Sequence, residues 1–217
     1  DSAMAEALYW KMRAVCSGLS EKFVLGGPRE GFLRRLKMPI FAMDSTTITL
    51  VASRMPWAKH RRKKAAVNGH LSLNLQNHLP QAVCVEEACH HDNRQARFLC
   101  SPLQDGSIMV ADKAYSDFRH FRELTGRGVV WVVRARRDTA FRVVRSLRTT
   151  GNPRILADEV VVLARPQTAE KHPEGMRRIR AVVEIDGKDR TMEFLTNQMD
   201  WSPWTVAELY RCRWDIE

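Results

Sequence analysis

The stretch that most constrains this chain is Met38 to Leu50, where the apolar run Ile40-Phe41-Ala42-Met43 passes directly into Asp44 and then Ser45, Thr46 and Thr47. Consecutive apolar residues without alternation fit a strand covered on both faces, which demands layers above and below a sheet. A carboxylate there is costly unless a cation, an arginine or backbone donors compensate it. Asp44 is therefore a candidate ligand or catalytic group. The plain alternative is a strand-end Asp bonding its own turn through Ser45 and Thr46.

The rest of the chain alternates helical and strand patterns. Ala3 to Val15 carries Ala5, Leu8, Tyr9 and Met12 at helical spacing, and Arg29 to Lys37 reads as a short second helix after Gly26-Gly27-Pro28. Thr47 to Arg54 continues the first strand or turns into a hairpin partner. His70 to Gln76 alternates as a strand with one wet face, and Ala82 to Ala88 is a further extended piece. Asp92 with Gln95 resembles a capping box and predicts a helix from Asn93 to about Leu103. Ser107 to Ala111 is a second short buried strand, and it too ends in an acid, within Asp112-Lys113-Ala114-Tyr115-Ser116-Asp117. Tyr115 is placed to pack behind that acid. Asp117 reads as the cap of a helix over Phe118 to Thr125, followed by a strand over Val129 to Arg136.

From about Ala140 to Asn197 the chain favours strands: Phe141 to Val144, Glu159 to Ala164, Arg178 to Ile185 and Arg190 to Leu195. The helical pattern resumes at Ser202-Pro203, a capping Ser with Pro in the first turn, and runs to Glu217.

Composition narrows the function. With 35 Lys and Arg against 25 Asp and Glu, the net charge of +10 suggests a polyanionic partner. The cations cluster, in Lys59, His60, Arg61, Arg62, Lys63 and Lys64 and again in Arg134, Arg136, Arg137, Arg142, Arg145 and Arg148. These read as phosphate-contacting segments or as solvated faces. Five cysteines at irregular spacing, with no signal peptide and no membrane-length apolar run, imply a reduced, cytoplasmic protein. Cys84, Cys89, His90, His91 and Cys100 lack the paired short spacing of a zinc site and read as buried cysteines and a helix start. Trp131, Trp201 and Trp204 either stack a displaced base or pack the core.

Asp44 and Asp112 converge if their strands are neighbours. On the final helix Tyr210, Arg213 and Glu217 stand at i, i+3 and i+7 and share one face, where the plain reading is an Arg213 to Glu217 ion pair. Three carboxylates with few other donors suit a hard divalent cation.

Asp44 in Asp-Ser-Thr, Asp112 in Ala-Asp-Lys-Ala-Tyr-Ser-Asp, and Tyr210-x2-Arg213-x3-Glu217 together resemble the three acidic motifs of bacterial DDE insertion-sequence transposases, in the insertion-sequence-four branch. The match runs from Met38 to Glu217. The resemblance implies an α/β fold with a ribonuclease-H-like core: a mixed five-stranded sheet flanked by helices, with a β-rich insertion before the last catalytic helix. Residues 1–37 would be a helical segment from a DNA-binding region, 38–139 and 198–217 the core, and 140–197 the insertion. Asp44, Asp112 and Glu217 would be the catalytic, metal-binding triad for Mg²⁺ or Mn²⁺, two ions in all. Tyr210 and Arg213 would contact the DNA backbone, with further phosphate contacts expected from Lys59, Arg61, Arg62, Lys63, Lys64, Arg134, Arg136 and Arg137. The implied reaction is cleavage of double-stranded DNA at transposon ends and transfer of the 3′ hydroxyl to target DNA, by a homodimer. Two alternatives stay open: a two-metal nuclease on the same fold, which would hydrolyse DNA without joining it, and a truncated, inactive DNA-binding remnant, since the motif's final Lys falls beyond Glu217, where the sequence ends.

Overall fold

The computed structural model describes residues 2–19, 30–50, 59–60, 64–87, 92–149, 151–185 and 187–216. These form a single ten-stranded mixed sheet with helices against it. The strands are β1 (Ile40–Leu50), β2 (Lys59–His60), β3 (Lys64–Asn74), β4 (Pro80–Glu87), β5 (Ile108–Ala111), β6 (Val130–Arg134), β7 (Phe141–Ser146), β8 (Ile155–Leu163), β9 (Met176–Ile185) and β10 (Lys188–Thr196). The helices are α1 (Ser2–Leu19), α2 (Glu30–Arg35), α3 (Ala96–Cys100), α4 (Phe118–Gly126), α5 (Pro166–Ala169) and α6 (Pro203–Arg211).

Strand order is β2-β3-β1-β5-β6-β10-β9-β8-β7, with β4 also paired to β3. β1 runs antiparallel to β3 and parallel to β5, and β5 runs parallel to β6. Parallel neighbours need a crossover, and α4 provides it between β5 and β6. It forms where expected because Asp117 accepts hydrogen bonds from the Arg119 and His120 amides, at 3.0 and 3.3 Å. The return to β6 turns at Gly128, whose φ is +70°. A Cβ there would lie 1.9 Å from Asp105 Oδ1, so the turn requires glycine.

Both faces of the central strands are covered, as the unbroken apolar runs demand. Phe41, Met43, Met109, Ala111, Trp131 and Val133 face Leu99, Phe121 and Leu124 from α3 and α4. Ile40, Ala42, Ile108, Val110 and Val132 face Val206, Leu209 and Tyr210 from α6. The two sets alternate along each strand, so residue parity decides which layer a side chain meets.

Three expectations change. The sheet does not stop at five strands, because β10 pairs antiparallel with β6, from Phe194 opposite Arg134 to Thr196 opposite Val132. The β-rich segment thereby extends the central sheet and closes an edge of β6 that would otherwise leave backbone groups unpaired under cover. The helix expected over Asn93 to Leu103 shortens to a 3₁₀ turn, Asp92–Arg94, and α3. Gln95 makes no side-chain cap there and instead donates to Glu86 at 2.6 Å. Finally, the last helix tightens at Cys212 into a 3₁₀ turn over Cys212–Ile216.

Candidate active site

The last parallel pair between β1 and β5 is Met43 with Ala111, so Asp44 and Asp112 follow side by side at the carboxyl ends of neighbouring strands. Both share parity with the residues facing α6, and so does Arg134 at the end of β6. The three charged side chains therefore reach the same layer beyond the apolar core.

That layer receives them with α6 and the turn after it. Ser202 caps α6, accepting from the Thr205 amide at 3.0 Å, and Pro203 fills the first turn. Tyr210 is fully buried, and its hydroxyl donates to Asp112 Oδ2 at 3.3 Å. Arg213, 5% exposed, donates from Nη1 to Asp44 Oδ2 at 2.9 Å. Its guanidinium lies 5.7 Å from the Tyr210 ring centre and 5.6 Å from that of Trp214. Such a position between two rings favours the cation and fixes its direction. Arg134 Nη2 stands 3.1 Å from Asp112 Oδ2. Backbone amides complete the set, from Ser45 to Asp44 at 2.9 Å and from Ala114 to Asp112 at 3.3 Å.

Burial and charge explain the protonation tendencies. Burial first, and then the negative Asp112, raise the Tyr210 phenol above its ordinary value, so it stays a donor. Burial opposes the Arg213 charge, but Tyr210, Asp44 and Asp112 outweigh it and hold the guanidinium above its ordinary value.

Behind the acids, Tyr115 is buried as expected, and its hydroxyl lies 3.0 Å from His70 Nδ1 on β3. The other ring nitrogen of His70 lies 3.2 Å from Glu86 Oε1 on β4. The turn that carries Asp112 is thus tied to two outer strands. The alternation of the sequence set His70 and Ser72 on a wet face opposite Leu71, Leu73 and Leu75, yet both are fully buried, and His70 meets Tyr115 and Glu86 there; Glu86 was passed over. Also passed over was the ion pair of Arg177 and Asp158, both 3% exposed, with contacts of 2.7 and 2.6 Å.

The remaining candidates divide. Arg136 pairs with Asp138 at 3.2 Å, and Arg136 and Arg137 line an open groove beside Lys113. Lys59 falls in the two-residue β2 and Lys64 begins β3, with which β2 pairs, while Arg61, Arg62, Lys63 and Glu217 lie outside the described residues. Tyr210 and Arg213, for which the resemblance implies contacts to the DNA backbone, are buried with their polar ends on Asp112 and Asp44. Arg213 pairs with Asp44 at 2.9 Å, while the expected pair with Glu217 rests on a residue outside the described ones. Trp131 belongs to the core, buried and stacked on Phe121 at 4.6 Å, and Trp201 just before α6 and Trp204 in its first turn pack against the core. Of the cysteine and histidine cluster, Cys89, His90 and His91 lie outside the described residues; burial pushes the Cys100 thiol up to about 12, and no three metal-ligating side chains group among the described residues. Also among these, no helix is long and apolar enough to cross a membrane.

The donor chemistry of the pair fits a divalent cation. Two adjacent carboxylates offer hard oxygens, each with one face on solvent, their side chains 26% and 20% exposed. The third acid of the expected set, Glu217, would have to come from the chain after Ile216.

The chain is 25% identical over 183 residues to a Geobacillus stearothermophilus protein named "Probable transposase for insertion sequence element IS5377", covering 84% of this chain and 47% of that one. It is likewise 25% identical over 178 residues to a protein described as a transposase, y4zB, of Sinorhizobium fredii, covering 81% and 48%. The chain thus spans about half the length of the curated relatives it matches. Its backbone also aligns with piggyBac transposase in a synaptic complex with hairpin DNA, at a TM-score of 0.48 and 6% identity over 82% of this chain and 38% of that one. Residues 35–217 match the family described as Transposase DDE domain, and the chain belongs to that family.

Proposed function

We propose that this chain carries the catalytic centre of a DNA transposase, which cuts double-stranded DNA at the ends of a mobile element and joins the freed 3′ hydroxyl to target DNA. The observation that carries the reading is the side-by-side placement of Asp44 and Asp112, held by Tyr210 and Arg213 from one helix end. The strand order β4-β3-β1-β5-β6, antiparallel and then parallel, supports a ribonuclease-H-like core within the larger sheet. Residues 140–197 then act as an insertion fused to that core, and 1–37 as a helical lead-in.

In this reading Asp44, Asp112 and Glu217 hold Mg²⁺ or Mn²⁺. The bound cations, two in the favoured arrangement, supply the charge that activates a water or 3′ hydroxyl and stabilises the leaving oxygen. The protein's own contribution is orientation. Tyr210 and Arg213 each fix the Oδ2 of one acid, while each Oδ1 accepts a backbone amide, and the lone pairs that remain on the exposed carboxylates are what a ligand would take. Arg134 offsets the Asp112 charge and carries positive charge toward approaching phosphate. Contacts from Tyr210 and Arg213 to the DNA backbone fit only where phosphate takes over from the carboxylates. Arg136, Arg137 and the cations of 59–64 add phosphate contacts, and paired ends call for two copies of the chain.

The test is nicking of supercoiled plasmid in Mn²⁺. Asp112→Asn, which keeps the shape of the side chain, should lower the rate by at least about 100-fold, beyond the effect of losing an outer-shell group. Unchanged nicking would remove the assignment. Supplying pre-cut ends and looking for joined product separates strand transfer from a nuclease that only hydrolyses.

A further inference from the structure

We infer that the open groove beside Asp112, walled by Lys113, Arg134, Arg136, Arg137 and Arg190, is a site for the phosphodiester backbone of DNA, with Lys113 and Arg190 as contacts not otherwise assigned. The inference rests on the proposed function and adds the surface along which the strand would run.

Two neighbouring hollows, about 670 and 390 Å³, share Lys113, Arg136 and Arg137 as walls. Three separate parts of the chain build it. Lys113 comes from the turn after β5, Arg134 to Arg137 from the end of β6, and Arg190 from β10. Pairing of β10 with β6, continued by the Ala135 amide donating to the Glu193 carbonyl at 2.8 Å, brings Arg190 on β10 into the lining of the same hollow as Arg134 to Arg137. The insertion therefore supplies one side.

Charge accounting shows what is missing. Five cations meet two acids, Glu193 and Asp138, along the groove. Arg134 is taken by Asp112, and Arg136 by Asp138. Lys113, Arg137 and Arg190 are exposed and form no ion pair among the described residues. Like charges fixed on neighbouring strands repel, and an anion along the groove reverses the sign of that energy. Five cations drawn from three parts of the chain match a polyanion better than one small anion, since each phosphate engaged releases counterions. Arg134 joins the groove to the carboxylates, so a phosphate within its reach lies next to Asp112.

Fluorescence anisotropy with a labelled 30-base-pair duplex, without divalent metal and over a salt series, tests the groove. The variant K113A/R190A should bind about tenfold or more weakly near 0.1 M salt, with a slope of log affinity against log salt shallower by about two. R122A/K171A removes equal charge outside the groove and should shift both quantities by less than half as much. Thermal unfolding of each variant checks that these exposed substitutions leave the fold intact. Equal losses in the two variants, an unchanged slope in K113A/R190A, or no duplex binding by the unaltered chain would overturn the inference. Calorimetry with inorganic phosphate is the second arm. Tight phosphate binding lost in K113A/R190A while the DNA slope stays constant would give the groove to a small anion and overturn it too. Plasmid nicking that depends on Asp112 is read separately, so the groove and the reaction fail by different results.

Discussion

Asp44 shows how one residue serves two demands. Its carboxylate bonds the next backbone amide, as a strand-end Asp does, and also takes the Arg213 guanidinium from the far end of the chain. The two readings of its sequence position are compatible because a carboxylate has about four acceptor sites. A second residue with a defined consequence is His120, buried on α4 with Nδ1 3.3 Å from Glu123. Burial lowers its tendency to protonate, more than the Glu123 hydrogen bond raises it. The folded state therefore disfavours the proton. Its share of stability is complete above the unfolded value of 6.5 and is lost as pH falls through that value toward the lower folded one. His120→Gln should flatten the fall in unfolding temperature between about pH 7 and 5, measured by circular dichroism. An equally steep fall in the variant would assign the acid sensitivity elsewhere.

Among elements, α6 and the 3₁₀ turn that continues it matter most, because they deliver Tyr210 and Arg213 to the two acids. Its entry is fixed from the insertion. Arg177 on β9 forms a two-pronged pair with Asp158 on β8, and its Nη1 donates to the carbonyls of Met199 at 3.2 Å and Trp201 at 2.6 Å. Those carbonyls precede the Ser202 cap, so one buried guanidinium joins the β-rich segment to the start of the helix. Arg177→Met strands a buried carboxylate and should cost about 3–5 kcal/mol in urea unfolding, whereas Arg177→Met with Asp158→Leu should recover most of it. A double variant as unstable as the single one would show that the carbonyl contacts, and not the ion pair, hold the turn. The α6 start was legible from Ser202-Pro203, which is local chemistry. Its tightening at Cys212 was not, since that follows where Asp44 and the rings of Tyr210 and Trp214 hold Arg213.

At the scale of the molecule, the continuous sheet is the governing fact. β10 ties the expected insertion to β6 through ladder hydrogen bonds, and the buried pair of Arg177 and Asp158 ties it again to the approach of α6. Segments joined by a shared sheet and core lose their contacts together. Unfolding followed by far-ultraviolet circular dichroism and by tryptophan fluorescence should therefore give coincident transitions. Two separated transitions would show that 140–197 is an independent unit. The basic groove belongs to this scale as well, for its walls exist only once β5, β6 and β10 lie side by side.

Taken alone, the sequence determined what short-range chemistry can encode. Apolar runs marked the covered strands, caps marked α4 and α6, and an acid directly after such a run marked Asp44 and Asp112, because each pattern repeats within a turn or a pleat. Only the tertiary structure decided which strands became neighbours and which charges met. Arg213 and Asp44 stand 169 positions apart, and Tyr210 and Asp112 stand 98 apart. No local period carries that information. The partners are chosen by the pairing of β1 with β5, by the layer that α6 covers, and by the cost of leaving a carboxylate or guanidinium buried without its counterpart.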